Sequence, residues 1–125
     1  MIYLDTHVVV WLYSGLVGQL SQTARQLINN HEVFISPIVR LELQYLFEIQ
    51  RTAATPDTIV TDLASRVGLQ VCAKPFNRVV SAALGHTWTR DPFDRLIAAH
   101  AGLDGNLLLS KDANILSHYA HARWM

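Results

Sequence analysis

Cysteine is almost absent from this chain of 125 residues, which contains only Cys72. A single cysteine excludes an internal disulfide framework and is typical of a protein in a reducing cytoplasm. The chain also lacks an apolar run of the roughly 20 residues that a membrane helix needs. Its apolar start carries Asp5 and no basic segment, so we expect a strand and a helix there and not a signal peptide. We therefore expect a cytoplasmic protein without a membrane partner.

A net charge is also lacking, because ten basic residues balance ten acidic ones. Eight of the bases are arginine, the side chain best suited to bidentate phosphate contacts. Five of the acids are candidates for one pocket: Asp5, Glu42, Asp91, Asp94 and Asp112. If they gather, the remaining surface is basic, which favours a metal-dependent enzyme acting on nucleic acid. A genome rich in arginine codons would produce the same number of arginines without any role in binding nucleic acid.

What the chain does contain is an alternation of short apolar strands with helices. Strands are predicted at Ile2–Leu4, Val33–Ile35, Leu69–Cys72 and Asn106–Ser110, with a last edge strand at His121–Met125. Helices are predicted at Thr6–Tyr13, Ser21–Asn30, Ser36–Gln50, Pro56–Val67, Asn77–Leu84, Asp91–Leu103 and Asp112–Leu116, and a loop at Gly15 and Gly18. Hydrophobic residues make up 50% of the chain, enough for one buried core. We therefore predict a single domain over residues 1–125, a three-layer α/β/α sandwich with a mostly parallel central sheet.

Glu42 lies where an ordinary surface carboxylate would not. Ser36 is a suitable N-cap and Pro37 suits the first helical position, which places Glu42 inside a helix. At roughly 100° per residue, one face of that helix is polar and carries Arg40, Gln44, Glu48 and Arg51. The opposite face surrounds Glu42 with Ile38, Tyr45, Leu46 and Ile49. Because burying an ion is costly, Glu42 needs a partner: a metal ion, an arginine, or other carboxylates that share a cation.

The aspartates stand at strand ends and helix starts. Asp5 directly follows the first strand, Asp112 follows the strand that ends near Leu109, and Asp91 and Asp94 begin a helix. Helix capping explains each aspartate alone. Together they are more informative, because the carboxyl ends of parallel strands meet at the edge where ligands bind. Mg²⁺ prefers oxygen ligands and lowers the pKa of bound water, so this set predicts a metal-assisted hydrolytic site.

The segments around these carboxylates resemble those of the PIN-domain ribonucleases, and within them the VapC-type toxins of bacterial toxin–antitoxin systems. The resemblance covers nearly the whole chain and rests on the order and spacing of four segments. These are YLDTHVVVW at Asp5, SPIVRLELQYL at Glu42, RDPFDRLIAAHA at Asp91 and Asp94, and LLLSKDANI at Asp112. The resemblance implies a PIN-like fold and an endoribonuclease dependent on Mg²⁺ or Mn²⁺. It would hydrolyse RNA by metal-assisted in-line attack of water on the phosphodiester.

The resemblance also implies a role for each matching residue. The implied catalytic set is Asp5, Glu42, Asp94 and Asp112. Its three aspartates would bind the metal or its waters, and Glu42 would orient a metal-bound or attacking water. Three residues would support the site: Thr6, Asp91 and Ser110. The implied partners are RNA, a second copy in a homodimer, and an antitoxin that inserts an arginine into the acidic pocket in competition with the metal.

Two positions depart from the family pattern. His7 stands where asparagine or serine is common, and Lys111 stands where a smaller polar residue is common. We expect His7 to be a surface or packing residue, and we expect activity to be intact because no carboxylate is lost. The three tryptophans, Trp11, Trp88 and Trp124, are expected to pack in the core or an interface and not to stack on bases. Apolar helix surface at Leu43, Leu46, Phe47 and Val8–Tyr13 is expected to form part of a homodimer or an antitoxin groove.

Two other functions fit parts of the pattern. A phosphatase could use Asp5 as its nucleophile, but His7 occupies the position where the second aspartate of such an enzyme is expected. A non-catalytic RNA-binding or scaffold module would keep the fold, but it has no need of the complete carboxylate set. The products separate the three: cut RNA for the ribonuclease, hydrolysed small phosphate esters for the phosphatase, and neither for the scaffold.

Overall fold

A computed structural model describes all 125 residues, and a five-stranded sheet forms its centre. The strands are β1 (Ile2–Leu4), β2 (Val33–Ile35), β3 (Gln70–Val71), β4 (Leu107–Leu109) and β5 (Ala122–Arg123). They are ordered β3-β2-β1-β4-β5, and every neighbouring pair is parallel. The predicted strands are therefore all present, and the last one lies at the edge of the sheet as expected.

Seven α-helices connect the strands. They are α1 (Thr6–Tyr13), α2 (Gln22–Asn30), α3 (Pro37–Glu48), α4 (Pro56–Val67), α5 (Phe76–Ala83), α6 (Pro92–Gly102) and α7 (Ala113–His118). Local chemistry sets most of their bounds: the Ser21, Ser36 and Thr55 side chains cap the starts of α2, α3 and α4. Gly68, at φ +72°, ends α4 in the left-handed conformation. The segment predicted as a loop at Gly15 and Gly18 instead contains a short 3₁₀ turn over Val17–Gln19, a one-turn structure that no periodic pattern reveals.

Helices cover both faces of the sheet. The evidence is that the side chains of β1 are buried on both sides. Ile2, Tyr3 and Leu4 are at most 1% exposed, although their side chains alternate between the faces. The predicted α/β/α sandwich with a parallel sheet is thus confirmed. No helix in the structure has the length and apolar character to cross a membrane. The strand order reverses beside β1, with β2 on one side and β4 on the other, and this places a crevice at the carboxyl ends of β1 and β4.

The buried side of α3 differs from the prediction. Val39 and Leu43 are fully buried, whereas Tyr45 and Ile49 are 53% and 44% exposed. Glu42 therefore lies at the border of the buried face and not in the middle of it. Contacts of α3 with α4 and α6 set the rotation of the helix, and sequence periodicity does not supply that rotation.

The same packing corrects the predicted docking surface. Leu43 of α3 and Val8 and Val9 of α1 belong to the core, with 0% exposure, so they present nothing to a partner. The large apolar side chains exposed on α3 and at its C-cap are Leu41, Tyr45 and Ile49. Leu46 and Phe47 are half-buried, as are residues 10–13 of α1, so this part of the predicted surface remains available beside the three exposed side chains.

His100 is a buried titratable side chain on α6, only 1% exposed. Its Nδ1 lies 2.7 Å from Ser36 Oγ and 3.0 Å from the Leu96 carbonyl oxygen. Because a carbonyl oxygen can only accept, Nδ1 carries the proton of the neutral ring. Burial lowers the pKa of His100, and the charge of Lys74 lowers this pKa further, against the opposing effect of the Leu96 hydrogen bond.

The folded protein is therefore expected to lose stability in mild acid. A histidine with a lowered pKa contributes its full stability above the ordinary value of about 6.5, and this contribution is lost as the pH falls below that value. His100→Asn, whose amide nitrogen can take the place of Nδ1, should lose less unfolding free energy than the wild type between about pH 7.5 and about pH 5. Urea unfolding at both pH values measures this difference. His118→Asn, at an exposed site, is the matched control, and equal pH dependence in the wild type and His100→Asn would contradict the prediction.

Candidate active site

A cleft of about 420 Å³ opens at the carboxyl ends of β1 and β4. All five carboxylates singled out in the sequence line it: Asp5, Glu42, Asp91, Asp94 and Asp112. Three of them are the N-cap residues of α1, α6 and α7, and the other two lie within α3 and α6. The fold thus brings half of the acidic residues of the chain into one cleft, while the net charge of the whole remains zero.

Asp5 is held rigidly at the floor of this cleft. It is 5% exposed, and both of its carboxylate oxygens accept hydrogen bonds. The Thr6 backbone N–H donates to Oδ1 over 2.8 Å, and the Ser110 hydroxyl donates to Oδ2 over 2.7 Å. Ser110 Oγ in turn accepts the Asp112 backbone N–H at 3.0 Å, so one hydroxyl joins the ends of β1 and β4. The orientation of Asp5 is therefore set by one backbone donor and one side-chain donor of the protein.

A hydrogen bond from Thr6 offsets part of the cost of burying the Glu42 carboxylate. The buried Thr6 hydroxyl donates to Glu42 Oε1 and so ties the start of α1 to the middle of α3. Burial raises the pKa of Glu42, the hydrogen bond from Thr6 opposes this shift, and the charges of Asp5 and Asp91 add to it. The second oxygen, Oε2, receives no protein hydrogen bond and remains available to water or a ligand.

Asp91 and Asp112 cap helices, as the capping interpretation predicted. Asp91 Oδ1 accepts the backbone N–H of Phe93 at 2.8 Å and of Asp94 at 3.4 Å, and Asp112 Oδ1 accepts the N–H of Ile115 at 3.0 Å. Each cap uses Oδ1 alone and leaves Oδ2 without a protein donor. Capping and a role in the cleft are therefore compatible for both residues.

The Asp94 carboxylate neither caps a helix nor forms an ion pair within the protein. Its side chain accepts no protein hydrogen bond, although it is partly buried in the first turn of α6. Burial, together with the charges of Asp5, Asp91, Asp112 and Glu42, raises the pKa of Asp94 to about 7. At neutral pH the cluster therefore carries its full negative charge only if a cation balances it.

The donor set suits a hydrated hard cation. The free oxygens all belong to carboxylates, which Mg²⁺ and Mn²⁺ accept and which suit softer metals less well. No three His, Cys, Asp or Glu side chains lie close enough together to hold a metal ion by themselves. Mg²⁺ does not require such a set, because it keeps several waters and takes only one or two carboxylates directly. The residues present therefore fit such an ion, held partly through its waters.

His7 packs against the ring of Trp11, with ring centres 5.0 Å apart, as predicted, and it also lines the cleft. Its Nε2 accepts the Lys111 backbone N–H at 2.8 Å, and its Nδ1 lies 3.6 Å from Asp5 Oδ2. Since Nε2 accepts, the proton of the neutral ring resides on Nδ1, on the side of Asp5. Burial lowers the pKa of His7, and the charges of Asp5 and Asp112 oppose this shift. The departure from the family pattern was the one sequence signal that pointed here.

Arg51 and Thr52 also line the cleft, and the sequence analysis missed both. Arg51 was predicted on the polar face of a helix that reached Gln50, but α3 ends at Glu48. Gln50 then adopts φ +62°, a left-handed conformation that redirects the chain. Because Gln50 is not glycine, no residue type in the sequence announced this turn.

The tryptophans pack against other side chains, as expected. The rings of Trp11 and Trp124 lie 5.9 Å apart, and Trp124 is 6% exposed. Trp88 stacks on His118 with ring centres 5.3 Å apart and planes inclined by 3°. Trp11 nevertheless keeps one edge on the cleft.

Comparison with protein families and sequences gives a consistent result. The profile of the PIN domain matches residues 2–122. The chain is similar to Ribonuclease VapC22 of Mycobacterium tuberculosis (strain ATCC 25618 / H37Rv), with 32% identity over 120 residues. The alignment covers 94% of this chain and 91% of that protein.

Solved structures show the same fold at lower identity. One such structure is VapBC2 from Rickettsia felis bound to a DNA fragment from the VapBC2 promoter. A chain of that structure matches this one with a TM-score of 0.68 and 21% identity, over 100% of both chains. VapBC-1 from nontypeable Haemophilus influenzae matches with a TM-score of 0.63 and 18% identity, over 100% of this chain and 97% of that one. At these identities the likeness concerns the fold alone.

Proposed function

The chain belongs to the PIN-domain family, and on this premise we propose that it is a metal-dependent endoribonuclease that serves as the toxin of a toxin–antitoxin pair. Its ribonuclease relative is aligned over nearly the whole chain, and we take residues 1–125 as one nuclease domain. Because its substrate would be cellular RNA, we expect it to act in the cytoplasm.

One observation supports this function above the others: five carboxylates share one cleft, and the pKa of Asp94 is raised to about 7. Such a cluster destabilises the protein unless a cation balances it, because burial and mutual repulsion both oppose ionisation. A scaffold module gains nothing from this arrangement. A phosphatase with Asp5 as nucleophile is also disfavoured, because His7 occupies the position where the second aspartate of such an enzyme is expected.

Each residue has a task in the proposed reaction. Asp5, Asp94 and Asp112 would hold Mg²⁺ or Mn²⁺, directly or through its waters. The bound ion would lower the pKa of water and stabilise the developing charge on the phosphoryl group. Glu42 would orient the attacking water through Oε2, while the Thr6 hydroxyl fixes its other oxygen.

Two further residues would hold these groups in place. Ser110 would keep Asp5 aimed into the cleft, and its contact with the Asp112 backbone would fix the spacing between the two aspartates. Asp91 would have a supporting role, because one of its oxygens caps α6. Neither Ser110 nor Asp91 needs to touch the substrate for this purpose.

The proposed partners are an antitoxin, RNA and a second copy of the chain. The antitoxin assignment is supported by the fold likeness to chains of VapBC assemblies. An antitoxin arginine entering the cleft would meet the uncompensated charge of Asp94 and displace the metal. The candidate docking or dimer face combines the half-buried Leu46 and Phe47 with the exposed side chains of Leu41, Tyr45 and Ile49.

Incubation of total RNA with the purified, antitoxin-free protein tests the function. With Mg²⁺ or Mn²⁺ we expect discrete RNA fragments, with EDTA we expect none, and p-nitrophenyl phosphate should remain intact in both. Hydrolysis of the small ester without RNA cleavage would replace the proposal with the phosphatase. Intact RNA and intact ester, from protein whose circular dichroism shows the fold, would replace it with the scaffold module.

A further inference from the structure

Most basic side chains of the fold are engaged in hydrogen bonds within the protein. Six of the ten donate to carbonyl or side-chain oxygens. The charged ends of the other four make no hydrogen bond: Arg51, Arg78, Arg90 and Lys111. Two of these four, Arg51 and Lys111, lie at the acidic cleft or in the groove that continues it. Their position there needs an explanation, since the cleft offers five carboxylates that neither of them binds.

The backbone directs Arg51 to the cleft. Its own N–H donates to the Leu46 carbonyl over 2.8 Å, and the preceding Gln50, at φ +62°, turns the chain back toward α3. None of the ion pairs in the structure includes Arg51, so its guanidinium lies more than 4 Å from every carboxylate oxygen. Its planar set of donors is therefore open to a ligand.

Lys111 has a different set of neighbours. Its backbone N–H donates to His7 Nε2, and its ammonium group lies 5.9 Å from the centre of the Trp11 ring. It lines a shallow groove with His7, Trp11 and Asp112, three residues that also line the acidic cleft. Arg51, in contrast, borders a cavity beside Tyr13 that shares no residue with this groove. The two cations thus border the carboxylate cleft among different neighbouring residues.

We propose that Arg51 and Lys111 bind the RNA phosphates on the two sides of the scissile one. This inference rests on the proposed ribonuclease function. A cleft with five carboxylates repels a polyanion, and a bound metal offsets this charge only at the reacting phosphate. The neighbouring phosphates need their own cations. The fork of Arg51 suits bidentate phosphate contact, and Lys111 supplies a point charge supported by the face of Trp11.

The salt dependence of RNA binding tests this assignment. We would measure the binding of a fluorescein-labelled single-stranded RNA by anisotropy, in an Asp94→Asn background that suppresses cleavage, at a fixed low concentration of Mg²⁺ and increasing KCl. Each phosphate contact contributes about 0.7 to the slope of log K against log [salt] for a single strand. Arg51→Ala and Lys111→Ala should each reduce the slope by about 0.7, and the double variant by about 1.4.

Arg78→Ala is the matched control, because Arg78 is an exposed arginine on α5 with an equally unbonded guanidinium outside the cleft. It should leave the slope unchanged. Slopes for Arg51→Ala and Lys111→Ala equal to that of Arg78→Ala, with the parent still binding RNA, would overturn this inference and leave the proposed function standing. A parent that neither binds nor, with Asp94 restored, cleaves RNA would overturn both. Thermal unfolding of each variant shows whether a change in binding reflects loss of the fold.

Discussion

Replacing Asp5 with asparagine is expected to slow RNA cleavage on the order of 10²–10³-fold, the scale of losing one preorganised electrostatic group from an active site. Asparagine has nearly the same shape, so its oxygen can still accept the Thr6 N–H or the Ser110 hydroxyl. What it lacks is the negative charge that would bind the cation. The loss should therefore appear in the cleavage rate and much less in the stability of the fold.

Initial rates on a single RNA substrate at saturating Mg²⁺ would measure this effect. Asp57→Asn is the matched control, because Asp57 is an exposed aspartate of α4 that pairs with Arg40 away from the cleft. We expect its rate to equal that of the wild type. An Asp5→Asn variant that is folded and cuts RNA at a rate within a few-fold of the wild type would remove Asp5 from the reaction.

Removing the metal should stop cleavage altogether, and it should also reveal the strain in the cluster. The raised pKa of Asp94 means that its contribution to stability is fully present below the ordinary value of about 3.8. This contribution is lost as the pH rises through about 7, where the buried group ionises among like charges. The metal-free protein should therefore lose stability between these two pH values.

Asp94→Asn is expected to stabilise the metal-free protein and to reduce the stabilisation that added metal provides. Without metal at about pH 8, the variant should unfold at a temperature roughly 2–8 °C above that of the wild type, because the repulsion is gone. Added Mg²⁺ should raise the Tm of the wild type by favouring the folded state, but it should change the Tm of the variant much less. Differential scanning calorimetry in EDTA and in Mg²⁺ provides both comparisons.

Two results would contradict this account. If the Asp94→Asn variant is less stable than the wild type in EDTA, contacts of Asp94 stabilise the fold by more than charge repulsion destabilises it. An equal Mg²⁺ shift in both proteins would remove Asp94 from the metal site. The Asp57→Asn control should retain the full shift of the wild type in Mg²⁺ and show no gain in EDTA.

The sequence by itself determined the elements and their order, because the forces that decide them act over a few residues. Ser21 and Ser36 cap the helices that they were predicted to begin, and Gly68 ends α4. Apolar runs predicted β1 and β2 to the residue. The alternation of strands and helices then leaves a parallel sheet as the simplest way to bury every apolar face. It also predicted which carboxylates would stand at the ends of strands.

The tertiary structure decided which side chains meet, because those contacts depend on how each helix is rotated and where the chain turns. Thr6 reaches Glu42 from 36 residues away, and Ser110 reaches Asp5 from 105 residues away. Packing turned Tyr45 outward and left Glu42 at the border of the buried face. A left-handed Gln50 carried Arg51 to the cleft. Periodicity supplies a helix with an apolar side, but only the surfaces packed against that helix determine its rotation and the residues that the cleft receives.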